Sequence, residues 1–256
     1  MKLEYINKDN EYTTIRQVLM QEFKLPSRLI SKLKQKKAIL LNGYPMYIDR
    51  KILKDDKITI YLDAIEELSN NIVASPIPLS IIYEDNSILV INKQPFTPVH
   101  PSSSHYSDTL ANGVQYYYST NNINNKIHLV NRLDKDTSGI VIFAKNAYIQ
   151  EMLIRQMKSK IFKKRYIAIL EGILEKENGT IVAPIARKDG SIIERCVNSN
   201  GDTAITHYKV VKQYENYAVV EFLLETGRTH QIRVHSQHIG HSIIRRYVIW
   251  SKVRPN

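Results

Sequence analysis

Apolar residues in this chain fall mostly into short runs bounded by turn residues, and in two places they follow helical spacing. The first helical stretch begins at Leu25-Pro26-Ser27, with Ser27 placed to act as N-cap. From there Leu29, Ile30 and Leu33 share one face, and Arg28, Lys32, Lys34, Lys36 and Lys37 carry the remainder with no acidic residue among them. The second runs from Ala147 to Ser159, with Met152, Ile154 and Met157 available for packing. Ala38–Met46 reads as strand, Asn42-Gly43 turn, strand, and Asp55-Asp56 turns the chain into an alternating strand that reaches Leu62. Ile81–Lys93 is strand, acidic turn, strand, and strand-like runs recur at Gly139–Ala144, Arg165–Leu170, Ala204–Val211 and Tyr217–Glu225. These elements predict an α+β fold: a mixed, largely antiparallel central sheet, with a small α+β domain at the N-terminus. The pattern loosens after Asp63 and passes through Ser75-Pro76-Ile77-Pro78. The expected organisation is therefore a domain over 1–65, a linker over 66–78 and a larger domain over 79–256.

Bulk properties narrow the partners. At 256 residues, 43% hydrophobic and 24% charged, the chain can bury a core in each domain, which argues against wholesale disorder. A net charge of +11 favours polyanionic partners. Cys196 is the only cysteine, which excludes an intramolecular disulfide and a cysteine-rich metal site and fits a reducing, cytoplasmic location. Met1-Lys2-Leu3-Glu4-Tyr5 lacks the basic and apolar regions of a secretory signal. The most apolar stretch, Ile77 to Ile91, is broken by Pro78, Glu84 and Asp85, so no membrane partner is expected.

Two polar blocks stand between apolar runs. In Asn131-Arg132-Leu133-Asp134-Lys135-Asp136-Thr137-Ser138-Gly139, an acidic side chain lies beside an arginine and just ahead of a Thr-Ser-Gly turn. A neighbouring cation favours the charged form of Asp134, available as nucleophile or base, and Arg132 and the distant Arg228 are the cations at hand. An isolated Arg-Leu-Asp would be read as a structural pair capping a turn; the full run to Gly139 argues against that. The second block is Gly227-Arg228-Thr229-His230-Gln231-Ile232-Arg233-Val234-His235. Its two histidines, five apart, suit neither one helix face nor one strand face, and no carboxylate accompanies them, so no metal site is expected. No Gly-x-Ser-x-Gly elbow supports a serine hydrolase.

Together the two blocks resemble the RluA-type pseudouridine synthases. The resemblance implies that Asp134 is a nucleophile that attacks a uridine in RNA. The N-glycosidic bond is then cleaved, and the uracil rotates and rejoins through carbon, with no cofactor. It implies that Arg132 holds the rearranged RNA and that Arg228 pairs with Asp134. Lys164-Arg165-Tyr166-Ile167-Ala168 matches the family's Lys-x-Tyr-x-Ala segment, so Tyr166 would stack on the flipped base and Lys164 would contact RNA. Without that match, Tyr166 would be one strand aromatic among sixteen tyrosines. The N-terminal unit resembles an S4-type RNA-binding module, which puts Arg28, Lys32, Lys36, Lys37 and Asn42 on the RNA-facing surface; a solvated lysine-rich helix is the alternative. Expected partners are ribosomal RNA, or transfer RNA, bound by a monomer. A non-catalytic RNA-binding remnant and a basic RNA chaperone are the rival functions.

The match departs from the family at four places. Asn131 stands for the usual histidine, Gln94 for a proline, and the Asn121–Asn125 loop is idiosyncratic. After Ile244 the family continues Gly-Asp, two residues and Tyr-Gly, whereas this chain reads Arg245-Arg246-Tyr247-Val248-Ile249-Trp250. Encoded as AGG AGA TAT GTT ATA TGG and read one nucleotide later, that string gives Gly-Asp-Met-Leu-Tyr. The tail is therefore expected to come from a single-nucleotide frameshift, and the 256-residue form to be poorly stable or inactive through an exposed sheet edge.

Overall fold

The computed structural model describes residues 1–66 and 72–249, with backbone alone over 245–249. Near the N-terminus, β1 (Lys2–Ile6), β2 (Ile39–Leu41), β3 (Tyr44–Pro45) and β4 (Lys57–Tyr61) pair antiparallel in the order β1-β4-β2-β3. Strand β1 was not expected, because it half-buries only Leu3 and Tyr5 and its apolar signal is correspondingly thin. Helix α1 (Ile15–Gln17) continues through a π-type turn in which the Phe23 N–H reaches the Val18 carbonyl at 3.0 Å. Helix α2 (Ser27–Gln35) buries Leu29, Ile30 and Leu33 and leaves its basic residues in solvent, as its spacing predicts. Its N-cap is Pro26, not Ser27: the proline is held extended at φ −71° and ψ 151°, and the helix starts after it. The β2–β3 turn uses Asn42 and Gly43, both at positive φ (51° and 88°), the type I′ geometry that an Asn-Gly pair tolerates.

The second sheet joins β5 (Ile81–Glu84), β6 (Ile88–Lys93), β7 (His128–Leu129) and β8 (Gly139–Ala144) in the order β5-β6-β8-β7. Helix α3 (Leu110–Thr120) covers it, packing Leu110, Val114 and Tyr118 with Leu89, Ile91 and Phe143. Helix α4 (Ala147–Lys158) follows β8. It packs through Ile149, Leu153 and Met157, an i, i+4, i+8 stripe from which the expected Met152 and Ile154 fall away.

The third sheet contains β9 (Lys164–Glu171), β10 (Asn178–Val182), β13 (Ile205–Gln213), β14 (Tyr217–Leu224) and β15 (Ile243–Ile249), ordered β10-β13-β14-β9-β15. A small hairpin of β11 (Ile185–Arg187) and β12 (Arg195–Val197) stands apart, and helix α5 (Gln231–His238) links β14 to β15. Every strand pair among the described residues is antiparallel, so the α+β class holds while the single mixed sheet resolves into separate antiparallel ones. Turns and hairpins supply antiparallel neighbours without the long crossover that a parallel pair needs. Strand β15 slips register along β9, from Ile243 opposite Leu170 to Val248 opposite Ala168. The divergent tail, in its side chains from Arg245 and its backbone beyond Ile249, lies outside the described residues.

The expected linker is docked where it is described. Glu66 Oε2 lies 2.7 Å from His128 Nε2, and Glu66 Oε1 accepts the Ala147 N–H at 2.8 Å. Ala147 and Tyr148 pack against the N-terminal core, which ties the first domain to the start of α4. Farther along, the Asn112 side chain donates to the Val73 carbonyl at 2.7 Å, so this stretch lies against α3. No helix among the described residues is long and apolar enough to cross a membrane.

Candidate active site

Asp134 is carried by a turn that β8 holds in place. The Val130 N–H donates to the Ile142 carbonyl, Asn131 Nδ2 donates to the Ile140 carbonyl, and the Ile142 N–H donates to Asn131 Oδ1, each at 2.9 Å. Asn131, which departs from the resembled family, thus supplies a donor and an acceptor to an adjacent strand. The turn closes when the Thr137 N–H reaches the Asp134 carbonyl at 3.1 Å.

Beneath this turn lies Lys93, fully buried at the end of β6. Its ammonium donates to the carbonyls of Gln94 (2.8 Å), Thr97 (2.9 Å) and Lys135 (2.9 Å), the last belonging to the residue after Asp134. Burial pushes its pKa from 10.5 down to about 8, against the opposing pull of Asp136 and Asp134. The sequence reading overlooked this residue. The signal was present, because Leu89, Ile91 and Lys93 alternate along one strand and share its buried face.

A cavity of about 650 Å³ opens beside the turn, and Arg132, Asp134, Lys164, Tyr166 and Arg228 all line it. The five residues come from distant parts of the chain. Tyr166 and Lys164 stand on β9, Arg132 and Asp134 on the run after β7, and Arg228 on the loop before α5. Burial, reinforced by the Asp134 charge, pushes the Tyr166 phenol up to about 12, so it keeps its proton near neutrality. Lys164 donates to the Thr226 carbonyl at 3.4 Å, and burial lowers its pKa.

The expected Arg228–Asp134 pair is not formed. Arg228 Nε donates to the Thr203 carbonyl at 3.0 Å, and its terminal nitrogen lies 3.3 Å from Asp202 Oδ2. The basic group beside Asp134 is His230, whose Nε2 lies 3.8 Å from Asp134 Oδ2. The path of the loop accounts for the exchange. The Arg228 N–H and the Thr226 hydroxyl both bond Gln231 Oε1, and His230 then adopts left-handed backbone (φ 58°) ahead of α5. Gly201 lets the Asp202–Thr203 turn lie on β11, since a Cβ there would come 2.5 Å from the Ile185 carbonyl carbon. Gly201→Ala is therefore expected to cost about 1–3 kcal/mol, read as a lower urea midpoint at unchanged slope.

His235, the other histidine of the block, is buried with both ring nitrogens engaged. Nδ1 lies 2.9 Å from Thr206 Oγ1 and Nε2 lies 2.9 Å from the Ala183 carbonyl. One consistent arrangement has Nε2–H donating to the carbonyl and the Thr206 hydroxyl donating to Nδ1, which leaves the ring neutral, and burial lowers its pKa in the same sense. Among the described residues no group of three or more potential metal ligands is found.

The expected RNA-facing residues separate. Arg28 and Lys32 line a second cavity of about 250 Å³, and Lys36 and Lys37 are exposed at the end of α2. Asn42 is exposed on its turn and hydrogen-bonded within the domain. Its Nδ2 donates to Asp56 Oδ1 at 2.7 Å and its Oδ1 accepts the Lys57 N–H at 2.8 Å, because the tight turn brings both within reach.

Residues 87–238 match the RNA pseudouridylate synthase family, and residues 2–58 match the N-terminal domain of the RluD ribosomal pseudouridine synthase. The chain is 42% identical over 192 residues to the uncharacterized RNA pseudouridine synthase YjbO of Bacillus subtilis, covering 75% of this chain and 68% of that one. It is 36% identical over 205 residues to ribosomal large subunit pseudouridine synthase D of Haemophilus influenzae, covering 80% of this chain and 62% of the relative. Among solved structures, human RNA pseudouridylate synthase domain containing 1 aligns at a TM-score of 0.55 and 26% identity, covering 66% of this chain and 69% of that one.

Proposed function

Because the chain belongs to the RNA pseudouridylate synthase family and isomerises uridine to pseudouridine in RNA, we propose that its uridine lies in ribosomal RNA and that Asp134 is the nucleophile. The observation that carries this reading is the Asp134 carboxylate lining the same cavity as Arg132, Lys164 and Tyr166. In the isomerisation the bond from the ribose C1′ to N1 breaks and one from C1′ to C5 forms. C5 gives up a proton and N1 takes one, so the atoms balance without a co-reactant. The uracil stays in the pocket throughout, and a single carboxylate can serve both bond changes.

A paired uridine is out of reach, so the nucleotide is extruded at a cost of a few kcal/mol. The cavity volume of about 650 Å³ suits one nucleotide, within the range of roughly 300–1,000 Å³ common for small-molecule sites. Tyr166, uncharged, offers a ring face to the flipped uracil, and exposed Arg132 at the rim holds phosphate. His230, 3.8 Å from the carboxylate, orients it in the role first expected of Arg228. Ribosomal RNA is favoured because relatives bear that function in their names and because the N-terminal residues match a ribosomal synthase domain. In this reading that domain acts as an S4-like module that adds phosphate contacts through α2, and the enzyme works in the cytoplasm.

Incubation with an unmodified large-subunit ribosomal RNA transcript, followed by nucleotide-resolution pseudouridine mapping, is expected to give one or a few discrete sites. A transcript left unmodified, while total transfer RNA is modified, overturns the ribosomal assignment.

A further inference from the structure

We propose that the cleft between α2 and the α4 face of the catalytic domain is a second RNA-binding site, which grips the sugar-phosphate backbone of the strand whose uridine enters the Asp134 cavity. The proposal rests on the RNA substrate of the preceding section and adds a contact made by both domains at once.

The cleft has a volume of about 250 Å³. Arg28 and Lys32 reach it from the N-terminal domain and Lys126 from the segment ahead of β7. All three are exposed, and among the described residues none takes part in an ion pair. Elsewhere on the surface lysines and arginines find carboxylates: Lys57 holds Glu4 at 2.7 Å and Arg16 holds Asp49 at 2.7 Å. The cleft's own carboxylate, Glu66, forms no ion pair with the trio. One oxygen is bound to His128 and the other to the Ala147 N–H. Three unpaired cations converging from two domains make an anion site, and their spread along a groove fits a chain of phosphates better than one small anion.

The position relative to the active site identifies which polyanion. Gln150 lines the cleft and Met157 lines the Asp134 cavity, both on α4. Seven residues of helix separate them, about 10 Å at 1.5 Å per residue. Gln150 also donates to the Leu129 carbonyl at 2.8 Å, which couples α4 to the strand that runs on to Asp134. The two cavities are thus fixed on one rigid frame at a separation that an RNA strand covers in a few nucleotides.

The test is binding of the full chain to the unmodified large-subunit ribosomal RNA transcript across a salt series. Lys126→Glu is expected to weaken binding about 10-fold at low salt and to lower the slope of log K against log salt by about 1. Lys126→Gln should show a smaller loss of the same kind. Arg28→Glu should resemble Lys126→Glu, and the double variant should lose less than the product of the two single losses, because both act on one stretch of backbone. Lys212→Glu, the same charge change in the third sheet, controls for overall electrostatics and is expected to change affinity less than twofold. Wild-type binding by Lys126→Glu, or an equal loss in Lys212→Glu, overturns the proposal. Binding is read without turnover, so a wild-type enzyme that binds this transcript but leaves it unmodified counts against the ribosomal assignment and not against the cleft.

Discussion

Asp134→Asn is expected to abolish pseudouridine formation, by about 10⁴-fold or more, the scale on which removal of a nucleophile acts, while RNA affinity stays within about twofold. An amide matches the carboxylate in shape and retains the acceptor oxygen, but its nitrogen and carbonyl are poor nucleophiles at neutral pH. The side chain is about one-third accessible, at 36%, and its backbone carbonyl, which closes the turn with the Thr137 N–H, is untouched by the change. The fold should therefore survive, and equal thermal midpoints for variant and wild type would verify that. Affinity should be insensitive because the cations proposed to meet phosphate, Arg132 and the α2 residues, are unchanged. A variant that still turns over at more than about a hundredth of the wild-type rate would remove Asp134 from the nucleophile's role.

The second large effect is expected from Lys93→Met. The substitution keeps the length of the side chain and removes the ammonium that ties Gln94, Thr97 and Lys135 together. Losing the tie to Lys135 frees the turn that aims Asp134, and misplacement of a reacting group by about 1 Å is enough to cost roughly 100-fold. The expected result is a fall of about 10–100-fold in kcat at nearly unchanged RNA affinity, in contrast to an RNA-contacting residue, which would move affinity first. Lys93→Arg should not rescue it, since the buried site is shaped for one compact ammonium.

The same residue leaves a mark on stability. Its pKa is about 8 in the folded protein, against 10.5 ordinarily, so between those values the unfolded chain binds more protons than the folded one. Stability from this group therefore rises with pH through that window, and below about 8 the full cost of burying the charge is present. From pH 7 to pH 10 wild type should gain roughly 2 kcal/mol relative to Lys93→Met, measured as the difference between their denaturation free energies. Parallel pH profiles for the two proteins would show that Lys93 does not titrate in this range.

Much of the architecture could be read from local pattern. The Gly139–Ala144 strand and the helix from Ala147 were expected within a residue or so of where they occur, because each carries an apolar run bounded by its own turn or cap. Helix α5 was not expected, and its residues explain why. The polar Gln231, His235 and Ser236 are buried there, the first two bonded to Thr206, so the hydrophobic period that announces a helix is absent. The S4-type resemblance put Asn42 on the RNA-facing surface, and spacing along the chain did not announce that the turn draws its amide onto Asp56 and Lys57.

What the sequence determined by itself was the chemistry present: an aspartate inside a long polar run, a basic helix, a tyrosine behind a lysine, and alternating strands to carry them. Those are properties of neighbouring residues, and neighbouring residues keep them in any fold. Only the tertiary structure decided which basic side chain faces Asp134, giving the place to His230 and sending Arg228 to Asp202. It alone put Lys93 under the turn that carries Asp134 and brought Lys126 to Arg28 across a domain boundary. Electrostatic pairing depends on separation in space to within an ångström or two, and that separation is set by how sheets and loops pack, on which spacing along the chain is silent.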